Sequence, residues 1–147
     1  MKRASYVTVV VVSVILLDQT TKHFIINYLS FSDSIEVFPF LHIVNVRNIG
    51  AAFGTFKSLG SGFFIVIAIA AILFVISLLM KRTYNAFGLS LVLGGAVGNL
   101  IDRILYGKVV DFIDFSIGSF HWPAFNVADS ALTIGIIIIF LASLMKK

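Results

Sequence analysis

Residues 63–80 read FFIVIAIAAILFVISLLM, eighteen positions in which Ser77 is the single polar side chain. At about 1.5 Å of rise per residue, a helix over this stretch nearly crosses a hydrocarbon core of about 30 Å. It is the least ambiguous helix in the chain and sets the class to which its neighbours must belong. Residues 86–105 form a further span, rich in glycine at positions 88, 94, 95 and 98, where small residues let a neighbouring helix come close. Residues 126–145 form the last, ending at Lys146-Lys147. The first covers residues 5–28. Its start, Met1-Lys2-Arg3 before an apolar run, looks like a secretory signal, but no small-residue cleavage site follows and Phe24-Ile25-Ile26 continues the span, so it is expected to be retained.

The expected fold class is therefore an all-α membrane protein of one domain, residues 1–147, with four transmembrane helices and extracytoplasmic loops at 29–62 and 106–125. Composition agrees. The chain is 59% hydrophobic and 12% charged, with a mean hydropathy of +1.06, which excludes an ordinary soluble domain. The net charge of +4 does not signal nucleic acid, because the basic residues flank apolar runs as pairs instead of interleaving with aromatics. Lys2-Arg3, Lys81-Arg82 and Lys146-Lys147 are separated by two spans each, so they share one side, cytoplasmic by the positive-inside rule, with both termini inside. Arg47, Lys57 and Lys108 lie in the opposite loops and weaken this bias without reversing it. The partial alternation of Leu41-His42-Ile43-Val44-Asn45-Val46 predicts a short strand or two in the first outer loop. The aromatics of the second suit the membrane interface.

Against that apolar background the acids stand out. Asp18, Asp102, Asp111 and Asp129 fall inside or at the edge of apolar segments, where an ionised carboxylate costs roughly 2.5–3.5 kcal/mol, so they are expected to mark a buried polar site. Counting helical rise from the basic pairs puts Asp18 at about 22 Å, and Asn99 and Asp129 at about 25 Å, from the cytoplasmic side. The three share a level in the outer part of the bilayer, and Asp111 can join it from above. Asn99, Asp102 and Arg103 are spaced to point into the bundle together, as are Asn126 and Asp129. Asn126 also reads as a helix N-cap, a role compatible with the site. Asp18 and Lys22 have the favourable order for an intrahelical pair.

The absence of cysteine removes thiol chemistry. His23, His42 and His121 are isolated in sequence and form no ligand motif, so neither metal nor cofactor is expected. A Ser/Lys dyad needs a neutral lysine, whereas Lys22 has Asp18 to keep it charged. Two carboxylates sharing a proton remain the best candidate, one activating water while the other protonates a carbonyl oxygen. Spacing does not choose between Asp102, which Arg103 can neutralise, and Asp111. A small transporter and a purely structural membrane protein are the alternatives. Transporter sites favour the midplane, and a structural role leaves Asp111 and Asp129 unexplained.

Five segments in order resemble signal peptidase II, the lipoprotein signal peptidase family of bacterial membranes: Asp18-Gln19-Thr20-Thr21-Lys22, Arg47-Asn48-Ile49-Gly50-Ala51-Ala52-Phe53, Gly94 to Arg103, Val109-Val110-Asp111-Phe112, and Phe125-Asn126-Val127-Ala128-Asp129. The resemblance implies an aspartic endopeptidase with Asp111 and Asp129 as catalytic pair. Asn48, Asn99, Arg103 and Asn126 would bind substrate, with Asp18, Lys22, Gly50, Asp102 and Ala128 in support. It implies a β-rich extracytoplasmic cradle above the helices and a site facing outward from the bacterial cell membrane. Its substrates would be diacylglyceryl-modified prolipoproteins, cleaved before the lipidated Cys, its surroundings membrane lipids, and its inhibitor the cyclic peptide globomycin. A signal helix is expected to enter laterally between spans, with the glycines of the third span giving it room.

Overall fold

The computed structural model describes residues 2–49 and 60–145. Along the chain run α1 (Arg3–Tyr28), β1 (Ser34–Phe38), β2 (Leu41–Asn48), α2 (Gly60–Lys81), α3 (Ala86–Tyr106), β3 (Val109–Ile117), β4 (Phe120–His121) and α4 (Val127–Leu144). Among the described residues four helices are long and apolar enough to cross a membrane. Their ends lie within a few residues of those expected. Helix α2 buries Val75 alone and exposes Phe63, Val66, Leu73 and Phe74, as befits a helix whose apolar surroundings are lipid.

Helix α3 is the hub on which α1, α2 and α4 all pack. Its sequence makes that possible. Asn85 caps the N-terminus by accepting from the Gly88 amide, and Gly107, at φ 67°, closes the C-terminus in the left-handed conformation that favours glycine. Between them, a Cβ at Gly94 would lie 2.8 Å from the Val14 side chain of α1, and one at Gly95 would collide with the Ala128 carbonyl of α4. The expectation that the glycines make room for a substrate helix is thus corrected: α1 and α4 of the chain itself fill those positions.

The sheet has the order β1-β2-β3-β4 and is antiparallel throughout. The two strands between α1 and α2 were legible. Strand β3 was not, since residues 106–125 read as interfacial loop. Its residues Val109 to Phe112 are all buried, so the strand lacks the alternation of a half-exposed one, although valine and phenylalanine suit it. Register sets Val46 opposite Asp111 and Asn48 opposite Val109. The amides of Phe112 and Ile113 both donate to the Phe125 carbonyl, which lashes the approach to α4 onto β3.

Glycine 95 gives a direct check on this packing. Gly95→Val is expected to lower the thermal unfolding midpoint in detergent by the equivalent of about 1–3 kcal/mol. Gly62→Ala, at a position where an added Cβ meets nothing within 4 Å, should leave it nearly unchanged.

Candidate active site

Four elements deliver the polar residues to one place: α1 supplies Asp18 and Lys22, α3 supplies Asn99, Asp102 and Arg103, β3 supplies Asp111, and the start of α4 supplies Asp129 behind its cap, Asn126. Asp18, Asn99 and Asp129, set at a common helical height by counting, come together: Asn99 bonds to Asp129, and Asp18 to the amide of the neighbouring Ala128. Gly50 lies outside the described residues.

Asp111 and Asp129 line one cavity of about 790 Å³ together with Asn48, Asn99 and Arg103. Asparagine amides link the two acids. The Nδ2 of Asn126 donates to Asp111 Oδ1 at 2.7 Å and to Asn99 Oδ1 at 3.2 Å, and Asn99 Nδ2 donates to Asp129 Oδ1 at 2.7 Å. The other face of Asn126 is the cap, its Oδ1 accepting the Asp129 amide at 2.8 Å. Cap and site role, left open by the sequence, are therefore one side chain used twice. Asn48 Nδ2 reaches the second oxygen of Asp111 at 3.1 Å. Arg103 donates Nη1 to the Asn99 carbonyl at 3.2 Å and lies 5.8 Å from the centre of the Phe64 ring, holding a cation at the cavity wall.

Burial, reinforced by the charge of Asp129, pushes the Asp111 carboxyl up to about 7, while the amides of Asn48 and Asn126 and the ammonium of Lys22 oppose the shift. A carboxyl titrating there can carry a proton at neutral pH and give it up to a partner.

Behind the acids lies a second layer. Lys22 Nζ is 2.7 Å from Asp18 Oδ2, 2.9 Å from Asp102 Oδ2 and 3.1 Å from Asn99 Oδ1. All three charged residues are at most 2% exposed. The intrahelical pair expected of Asp18 and Lys22 exists, but the lysine also bridges to α3. Asp102 is corrected in one respect, its ion-pair partner being Lys22 rather than Arg103, and in line with a supporting place it is not among the residues that line the cavity with the other two acids. Successive helical residues do not share a face, so Arg103 turns to the cavity as Asp102 turns to α1. Ala128, fully buried, donates its amide to Asp18 Oδ1 at 2.9 Å. Two of the histidines are not isolated in space, since the His42 and His121 rings sit 6.3 Å apart across the sheet, the latter paired with Asp114. Among the described residues no group of three or more His, Asp or Glu side chains is arranged to hold a metal ion.

Gln19 escaped the sequence reading. Its Nε2 donates to both Asp18 Oδ2 and Asp102 Oδ1, although its place beside Asp18 gave no spacing signal. The only hint was its presence between Asp18 and Lys22 in the first motif.

A family model described as signal peptidase (SPase) II matches residues 10–145. The chain belongs to the signal peptidase II family. It is 50% identical over 133 residues to a lipoprotein signal peptidase of Thermodesulfovibrio yellowstonii, covering 90% of each. To that of Staphylococcus haemolyticus it is 40% identical over 151 residues, covering 98% of this chain and 96% of the relative. Two solved structures, each a bacterial membrane enzyme determined by the in meso method, superpose with TM-scores of 0.87 and 0.86 at 40% and 39% identity, over 96% and 97% of this chain and 88% and 95% of theirs. The chain is thus a membrane peptidase of the signal peptidase II type, with prolipoproteins as its substrate class. The fold class and β-rich subdomain expected from the sequence hold as stated.

The Lys22 bridge supplies a stability test. Lys22→Met leaves Asp18 and Asp102 buried side by side without a cation, and loss of one partner from a buried ion pair typically costs about 3–5 kcal/mol. A thermal melt of the detergent-solubilised variant should show a large fall, and more than Lys22→Arg shows.

Proposed function

We propose that Asp111 and Asp129 form an aspartic dyad that hydrolyses the peptide bond before the diacylglyceryl-modified Cys of a prolipoprotein. The observation that supports this most is the amide chain from Asp111 through Asn126 and Asn99 to Asp129, which holds two carboxyls on the wall of one cavity. Acids so held share one proton, because ionising both in a poorly hydrated pocket is costly. At rest Asp111 carries that proton. Ionised Asp129 takes a proton from water as its oxygen attacks the carbonyl carbon, and Asp111 donates to the carbonyl oxygen. The tetrahedral intermediate then collapses: Asp129 gives its proton to the departing nitrogen of the lipidated Cys, Asp111 takes one back from a hydroxyl of the intermediate, and the signal peptide leaves as a carboxylic acid that ionises in water.

Substrate position follows from the cavity's shape. Ala68 and Ala71 of α2, Ala96 of α3, and Leu132 and Thr133 of α4 line it, so a groove floored by α3 runs between α2 and α4. A signal helix enters from the lipid along this groove, its acyl chains staying among the membrane lipids. Asn48 and Arg103 face the cavity and engage its backbone near the scissile bond. Globomycin, a cyclic peptide, competes for the same cavity. With Lys81 and Arg82 at the far end of α2, the dyad lies toward the extracytoplasmic face of the bacterial inner membrane and both termini are cytoplasmic.

Cleavage of a lipid-modified precursor by purified protein tests the dyad. Asp111→Asn and Asp129→Asn should each fold and lose activity by about 10³-fold, whereas retained cleavage in either removes that residue from the pair.

The titration of Asp111 has a sign that stability measurements can read. A carboxyl raised from 3.8 to about 7 favours the folded state fully below its unfolded value, and that contribution disappears as pH rises through about 7. Between about pH 5 and pH 8 the parent's melting temperature should therefore fall relative to that of Asp111→Asn. Parallel curves would show that Asp111 is not raised.

A further inference from the structure

Gln19 takes no part in the chemistry described above, yet its amide joins both supporting carboxylates. Nε2 donates to Asp18 Oδ2 at 3.1 Å, to Asp102 Oδ1 at 3.0 Å and to the Gly98 carbonyl at 3.2 Å. Each of those carboxylates in turn grips the backbone amide immediately before one member of the dyad. Asp18 Oδ1 accepts from Ala128 N at 2.9 Å, next to Asp129. Asp102 Oδ2 accepts from Val110 N at 3.0 Å, next to Asp111. Gly98 packs directly against Asp18, since a Cβ there would stand 2.7 Å from Asp18 Oδ2.

Lys22 alone does not fix this geometry. It neutralises Asp18 and Asp102 through one oxygen of each, and an ammonium is a point charge that tolerates rotation of a carboxylate about it. The second oxygen of Asp18 is held by the Ala128 amide, and that of Asp102 by Gln19. Without the Gln19 donor, Asp102 can turn while keeping its ion pair, and the Val110 amide moves with it.

We propose that Gln19 is a positioning residue that, with Lys22, ties Asp18 and Asp102 into one strut whose ends are the Ala128 and Val110 amides, and so fixes the separation of Asp129 from Asp111. This rests on the dyad reading, because the strut matters to catalysis only if those two residues perform it. Misplacement of reacting groups by about 1 Å can cost about 10²-fold in rate.

The test compares the full-length parent with Gln19→Leu, similar in size but without a donor, and Gln19→Glu, whose carboxyl donates only when protonated. Cleavage of a lipid-modified prolipoprotein in detergent is followed across pH, with Asp129→Asn as control. Gln19→Leu should lower kcat by about 10- to 100-fold with KM within about twofold, by the same factor at every pH. Gln19→Glu should be at least as impaired at alkaline pH, where a third carboxylate faces Asp18 and Asp102 beside the single cation Lys22. Its kcat relative to the parent should then climb as pH falls and its O–H replaces the amide donor. Gln19→Leu, which has no titrating group at position 19, is the reference against which that climb is read.

A kcat for Gln19→Leu within twofold of the parent, a loss confined to KM, or a Gln19→Glu ratio that is flat with pH overturns the proposal. Should Gln19→Leu not fold, the Gln19→Glu ratio decides alone. An inactive parent, or full activity in Asp129→Asn, defeats the dyad reading and this inference with it, whereas an active parent with unaffected Gln19 variants defeats only the strut.

Discussion

Everything at the catalytic level depends on Lys22 being buried between Asp18 and Asp102. Three charges removed from water at this depth are costly singly, and they are tolerable only because each meets an opposite charge and satisfied hydrogen bonds. That requirement draws α1 against α3 at one height. It also leaves each carboxylate with acceptor capacity that the amides of Ala128 and Val110 take up. The ion pair thereby reaches past the helices into the first residues of α4 and the start of β3, which carry Asp129 and Asp111. Small residues make the approach possible: Gly94 admits Val14, and Gly95 admits the Ala128 carbonyl.

The site is thus built in two layers with different tasks. The inner layer is charged, closed and fully paired. In the outer layer the amides of Asn48, Asn99 and Asn126 donate to the aspartates, and Asn48, Asn99 and Arg103 line the cavity while Asn126 is fully buried. Amides suit this place because they orient a carboxylate without adding a charge that would fix its protonation state. Alanines of α2 and α3, with Leu132 and Thr133 of α4, line the same cavity.

Much of this was legible in the sequence for physical reasons. An eighteen-residue apolar run has few alternatives to a membrane span, and helical rise is regular enough that Asp18, Asn99 and Asp129 could be placed at one level before their contacts were known. What failed turned on the direction of particular residues. The adjacency of Asp102 and Arg103 suggested an ion pair, although neighbours in a helix point apart. The glycines of α3 suggested space, although the chain's own helices occupy it. Strand β3 has no alternating pattern because its first four residues are all buried, and Gln19 reaches across to α3 from a position that periodicity does not single out. Gly50 and the rest of its motif beyond Ile49 lie outside the described residues.

That Asp111 and Asp129 titrate as a pair is the claim most directly open to measurement, by infrared difference spectroscopy of the protonated carboxyl band in the purified peptidase. In the parent, one band assigned to Asp111 by its loss in Asp111→Asn should disappear as pH rises through about 7, and Asp129→Asn, which removes the neighbouring charge, should move that midpoint to lower pH. A band whose midpoint is the same in parent and Asp129→Asn would mean that the two carboxyls do not sense one another, and would contradict the shared proton.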